Sequence, residues 1–185
     1  MDKTFTDCIK TNGILKLKNQ EFSNEVIFEE VLKDTDLINI NLLNFDFADT
    51  DLYYCDFWRC NFKNYNFRRY LSLWRKCNFY NCIFENCKIS ECEWSRVDFY
   101  STRFINCNFQ NLNLKNSNLI TCELRETNWN KVHLKSIDFS DMKIYKTTFT
   151  NLKFNQTYPS SLGNLEESIQ VHDSQPFNEA IKKLF

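Results

Sequence analysis

Between Cys77 and Trp94 the chain reads CNFYN CIFEN CKISE CEW, with cysteines at 77, 82, 87 and 92 and a large apolar side chain two places after each, at Phe79, Phe84, Ile89 and Trp94. A period of five fits neither the 3.6 residues of a helical turn nor the alternation of a strand. It marks a repeat whose single unit cannot bury its own apolar residue and must stack on its neighbours.

The period extends far beyond this window. Upstream it holds from Leu37 through Leu42, Phe47, Leu52, Phe57 and Phe62 to Phe67. After a seven-residue step it resumes at Trp74 and runs without exception to Phe154, so that all 24 centres are Phe, Leu, Trp or Ile. Two places before the centres lies a second restricted position, which takes eight of the nine cysteines and otherwise mostly Thr, Ser, Val, Leu, Ile or Met. The residue just before the centre is Asp or Asn in every unit from Asp36 to Asn66, then in about half of those from Asn78 to Lys153. Such a short polar side chain suits a turn, because it can bond nearby backbone.

This pattern resembles the pentapeptide repeat family, whose unit is a small residue, Asp or Asn, then Leu or Phe, then two variable polar residues. The resemblance covers about residues 36–155 and implies an all-β fold, a right-handed quadrilateral parallel β-helix. Four quintets make one 20-residue coil, with the centre and the residue two before it pointing inward. The chain departs from the pattern at Leu73, at later slots filled by Lys, Arg, Glu or His, and at the phase slip of 68–73. Six coils at a strand spacing of roughly 4.8 Å give a rod of about 29 Å.

The ends read differently. Residues 1–35 keep the period poorly; TFTDCIK and ILKLKN flank Asn12-Gly13, a hairpin signal, so an N-terminal β cap is expected. In residues 156–185, Ser161–Gln170 reads as a short helix weakened by Gly163. Ser174-Gln175-Pro176 then opens a short C-terminal α-helix with Phe177, Ile181, Leu184 and Phe185 at helical spacing, expected to cap the last coil or pair with another subunit.

Size and composition, 185 residues with 43% hydrophobic and 25% charged, suit one soluble domain with a real core. With two glycines and two prolines, asparagine must supply many of the turns. No run of 18 apolar residues and no export signal is read, so a cytoplasmic protein with reduced thiols and no membrane partner is expected.

Catalysis and cofactors find little support. The C-x4-C-x4-C-x4-C spacing invites a tetrathiolate zinc site, but it is simply the period of the fold, and cysteine is a good small apolar filler. His133 and His172 are the only histidines, and neither is placed beside an inward cysteine. No Gly-rich phosphate loop can be built from Gly13 and Gly163. No enzyme activity, metal or cofactor is expected.

Function is therefore sought on outward positions. Taking faces by 20-residue recurrence, the residues just after the centres of one face are Ile38, Trp58, Tyr80, Tyr100 and Ile120, and the same face carries Asp36, Asp56, Asp98, Asp138 and Asp141 against one base, Arg59. The preceding face carries Arg75, Lys76, Arg96, Lys115, Lys135 and Lys153. A contiguous aromatic strip marks an interaction surface. The expectation is a non-enzymatic scaffold that self-associates as a homodimer or binds another protein through this face. The family resemblance implies an alternative, DNA mimicry directed at DNA gyrase as in quinolone-resistance proteins. The net +6 over residues 68–154 opposes that role, which needs acidic surface along the rod. A third reading is weak nucleic-acid binding by the basic face.

Overall fold

The computed structural model describes residues 4–9, 16–28, 31–33, 35–48, 51–63, 65–68, 72–139, 141–155, 162–166 and 170–172. Within them each quintet is a short strand and a corner, as in Asn78–Tyr80, Ile83–Glu85 and Lys88–Ser90. Strand alternation sends the central residue inward and its two neighbours outward. Phe79, Phe84 and Ile89 are accordingly 0% exposed, with less buried residues on either side.

The corner lies two residues after the centre, where φ is positive: Lys76 at 53°, Asn81 at 54°, Asn86 at 56°, Glu91 at 57° and Arg96 at 57°. A left-handed residue other than glycine costs about 1–2 kcal/mol, least for Asn. The corner amide offsets this by donating to the next coil, as from Asn81 to the Tyr100 carbonyl at 2.9 Å and from Arg96 to the Lys115 carbonyl at 2.9 Å. Asparagine does supply many corners. The Asp or Asn preceding the centre, however, is not the turn residue that the sequence suggests: it lies in the strand and bonds its counterpart one coil away, as Asn61 Nδ2 does to Asn41 Oδ1 at 2.7 Å.

Coils stack in parallel register, 20 residues apart, to form a parallel β-solenoid with four faces. Phe79 pairs with Phe99, Phe84 with Phe104, Ile89 with Phe109 and Trp94 with Leu114. Across the phase slip the offset becomes 22, with Leu52 on Trp74 and Phe57 on Phe79, and every column stays aligned. The four faces therefore stay in register across the slip.

The interior is a set of stacked rings. Phe57, Phe79 and Phe99 follow one another at 4.5 and 4.8 Å, Phe62, Phe84 and Phe104 at 4.5 and 5.0 Å, and Trp74 lies 4.7 Å from Trp94. The inward cysteines fill the corners between these rows, and they also donate. Cys60 Sγ reaches the Leu37 carbonyl at 3.3 Å, Cys82 the Phe57 carbonyl at 3.3 Å and Cys107 the Phe84 carbonyl at 3.3 Å. Thr102 makes the same bond to the Phe79 carbonyl at 3.1 Å, so a small donor serves this slot, although Val97, Leu112 and Met142 fill it by packing alone.

At the N-terminus the coil reaches further back than the sequence pattern suggests. Strand Lys16–Ser23 pairs along Asp36–Leu43, with Leu17 on Leu37 and Phe22 on Leu42. Ahead of it Phe5–Ile9 is a short helix where a strand was expected. Thr4 and Asp7 cap its start, the Asp7 amide donating to Thr4 Oγ1 at 3.0 Å and the Thr4 amide to Asp7 Oδ2 at 3.1 Å, and it is held to the coil by Glu25, which occupies a small-residue slot two before Ile27. Its carboxylate accepts from the Phe5 amide at 2.7 Å, the Thr6 amide at 2.8 Å and the Thr6 hydroxyl at 2.7 Å, satisfying the first helical donors. Phe5, 0% exposed, then closes the coil end against Phe22 and Phe45 at 5.3 and 5.8 Å.

At the other end, Leu162–Glu166 is a strand on Met142–Tyr145, not the helix suggested for Ser161–Gln170. Gly163 disfavours a helix, and the edge of Met142–Tyr145 offers backbone partners. Gln170–His172 likewise pairs with Thr148–Thr150. The Asn12-Gly13 turn and the C-terminal helix with Phe177, Ile181, Leu184 and Phe185 lie outside the described residues. Among the described residues no helix is long and apolar enough to cross a membrane.

Candidate interaction face

The register brings the five residues of the outward strip into one column. Ile38 pairs with Trp58, Trp58 with Tyr80, Tyr80 with Tyr100 and Tyr100 with Ile120. Trp58 and Tyr80 stack with centroids 4.0 Å apart and planes at 17°, and Tyr80 and Tyr100 at 5.1 Å and 7°. The rings cover one another's faces, and the Tyr100 hydroxyl donates a hydrogen bond to the Asp98 carboxylate. Trp58 remains 42% exposed.

Beside this column runs a polar one, Lys16, Asp36, Asp56, Asn78, Asp98, Asn118 and Asp138, each in register with the next. Like charges on adjacent rungs are destabilising. Asparagines separate most of these carboxylates and bond them: Asn78 Nδ2 donates to Asp56 at 2.8 Å, and Asn118 donates to Asp98 from its amide at 3.0 Å and from Nδ2 at 2.9 Å. Lys16 lies 3.3 Å from Asp36 at the one step where two aspartates adjoin. Burial pushes the Asp98 carboxyl above its ordinary range against the pull of the Asn118 donors. Tyr80 is also raised, first by burial and then by Asp56 and Asp98. Asp141 sits at an exposed corner with φ 55°, and Arg59 at another with φ 54°.

Three residues, Lys16, Lys18 and Tyr54, add to this face beyond the strip and its aspartates. Lys16 and Lys18 extend the face below Asp36 and Ile38, and stepping back by five from Leu37 through Leu32, Ile27 and Phe22 to Leu17 would have found them. Tyr54, 50% exposed, occupies the corner that leads into the face, under Lys76, whose Nζ is 3.0 Å from its hydroxyl and 4.7 Å from the ring centroid.

The adjoining face aligns Arg75, Ser95, Lys115 and Lys135, with Lys153 pairing to His133. Lys115 is engaged by Glu93 at 3.3 Å, while Arg75, Lys76, Arg96, Lys135 and Lys153 are exposed.

The thiols offer little chemistry. All nine are free and buried. Burial pushes Cys92 and Cys122 up to about 12, and Cys82 higher still, so their thiolates are scarce at neutral pH, while the hydrogen bond from Cys82 lowers Cys60. Among the described residues no three His, Cys, Asp or Glu side chains are grouped to hold a metal ion.

The sequence matches two family descriptions, pentapeptide repeats in 8 copies over residues 31–69 and a pentapeptide repeat region over residues 77–158. No curated protein matches the chain. Solved structures that resemble it include QnrB1, a plasmid-mediated fluoroquinolone resistance protein, at 14% identity over 90% of this chain and 97% of that one, TM-score 0.33. Others are the pentapeptide repeat proteins Rfr23 from the cyanobacterium Cyanothece 51142, at 12% over 78% and 91%, TM-score 0.25, and HetL from Nostoc sp. strain PCC 7120, at 9% over 84% and 92%, TM-score 0.19.

Proposed function

As the chain belongs to the pentapeptide repeat family, we propose that it is a non-enzymatic scaffold whose aromatic, aspartate-lined face binds protein, either a second copy of itself or another chain. One observation carries the reading. Of the two exposed large apolar side chains among the described residues, Trp58 stands on this face and heads a stack of three rings, and Tyr54 stands at the corner that leads into it. An aromatic strip with its charges set to one side is the composition of an interface core and rim.

Light scattering on the wild type, Trp58→Ala with Tyr100→Ala, and Arg75→Glu with Lys135→Glu tests it. Association abolished by the first pair and kept by the second supports the reading. Association lost only with the second pair moves the function to the basic face, where nucleic-acid binding would show as affinity that falls steeply with salt.

Mimicry of DNA toward gyrase is the competing proposal. Asn78 and Asn118 interrupt the aspartate column, and the exposed bases Arg75, Lys76, Arg96, Lys135 and Lys153 border it, so the face lacks the continuous negative charge of a duplex. A supercoiling assay with and without fluoroquinolone decides the point: inhibition or protection at stoichiometric protein would favour gyrase.

A further inference from the structure

We infer that the occupant of this face is a second copy of the chain, laid antiparallel and centred on Tyr80; the inference rests on reading the face as an interaction surface. The outward column is a palindrome in kind. From Tyr80 it passes an aromatic residue and then an isoleucine in both directions, to Trp58 and Ile38 one way and to Tyr100 and Ile120 the other.

A two-fold contact is isologous, so each patch must meet itself. Two face-to-face arrangements of such rods are possible. With the axis along the strands, the order of rungs reverses and each column faces its own kind. Ile38 then meets Ile120 of the second copy, Trp58 meets Tyr100, and Tyr80 meets Tyr80. With the axis along the rod, like rungs meet, Trp58 on Trp58 and Tyr80 on Tyr80, and the two polar columns run along opposite edges of the contact.

Charge at the ends favours the first arrangement. Three rungs below Tyr80 the polar column ends in Lys16, 69% exposed, and three rungs above it stands Asp138. Reversal brings Lys16 of each copy over Asp138 of the other. The price is Asp56 opposite Asp98, twice, which limits affinity. The strip from Ile38 to Ile120 is about 19 Å long at roughly 4.8 Å per rung. At a width of about 10 Å the strip covers on the order of 200 Å², short of the roughly 800 Å² per partner of a standard interface, so a weak, concentration-dependent dimer is expected.

The experiment uses the full chain. Sedimentation velocity up to about 1 mM should show reversible dimerisation, and Asp56→Asn, which keeps an acceptor for Asn78, should tighten it several-fold. Lys16→Glu should weaken it, and adding Asp138→Lys should restore it. Separately, Trp58→Cys chains mixed with Tyr100→Cys chains under mild oxidation should form disulfide-linked pairs containing one of each, since the native cysteines are buried. Self-linked pairs from either variant alone would overturn the antiparallel register while leaving the face as the interaction surface. A wild type that stays monomeric throughout, or an Asp56→Asn dimer no tighter than the wild type, overturns the inference. Association that persists unchanged in the Trp58→Ala, Tyr100→Ala variant instead removes the face itself.

Discussion

Trp58 lies flat on Tyr80, 4.0 Å between centroids, on the outside of a rod whose inside already holds an equivalent stack of Phe57 on Phe79 at 4.5 Å. The inner stack is fully dry, and its loss would empty the core. The outer one is half in water, where an offset aromatic pair contributes about 0.5–1.5 kcal/mol beyond its buried area. Trp58→Ala is therefore expected to lower stability by about 1–2 kcal/mol in urea unfolding, whereas Phe79→Ala should cost about 3–5 kcal/mol. Equal losses would mean that Trp58 is a core residue and not a surface offered to a partner.

The fold was legible in the sequence because its period is enforced on every coil: each centre must be large and apolar, and the slot two before it is inward too, mostly small but taking Phe45, Tyr65, Leu112 and Met142. Column membership followed from the same arithmetic, which is why Ile38, Trp58, Tyr80, Tyr100 and Ile120 align as expected. What did not show was anything that breaks the slot rule for a local reason. Glu25 looks like a failed repeat until the helix it caps is seen, and Gln20 and Glu25 together hid the run from Leu17 to Leu32. Corner geometry was equally hidden, since Tyr54, Arg59, Glu91 and Thr121 all adopt φ near 55° without the Asn or Gly that announces it. There the stacking of coils overrides local preference.

Glu25 gives the second prediction. Its carboxylate is the acceptor for three donors at the start of the Phe5–Ile9 helix. Removing it strands the Phe5 and Thr6 amides and releases the plug that Phe5 forms. Glu25→Ala should cost about 2–3 kcal/mol, Glu25→Gln less, since one amide oxygen remains. Hydrogen exchange should show faster exchange at residues 5–9 and in Lys16–Ser23, with residues 77–139 unaffected. Uniform acceleration along the rod would contradict a local cap.

Two buried tryptophans differ in one partner. Trp129 Nε1 donates to Thr127 Oγ1 at 3.2 Å, two residues before it, whereas Trp94 has Cys92 in that slot and its Nε1 finds no acceptor among the described residues. Cys92→Thr would place a hydroxyl where Thr127 has one. The expected gain is about 1 kcal/mol, read as a rise in the urea midpoint with unchanged slope. Cys92→Val, of similar shape but without the oxygen, separates the hydrogen bond from packing and should give no such gain.

Asp98 carries the prediction for pH. Burial holds its folded pKa above the value of about 3.9 expected when unfolded, even with two donors from Asn118 and one from Tyr100. Between the unfolded pKa and the higher folded one, the native state binds more protons than the unfolded chain, so stability falls as pH rises through that window. The penalty is absent below the unfolded pKa and fully present above the folded one. Asp98→Asn keeps an oxygen for Asn118 and has no charge to desolvate. In urea titrations at low protein concentration, its stability relative to the wild type should increase from pH 3 upward and level off by neutral pH. A relative stability that does not change with pH, or one that decreases as pH rises, would show that the Asn118 and Tyr100 donors match or outweigh burial at this carboxylate.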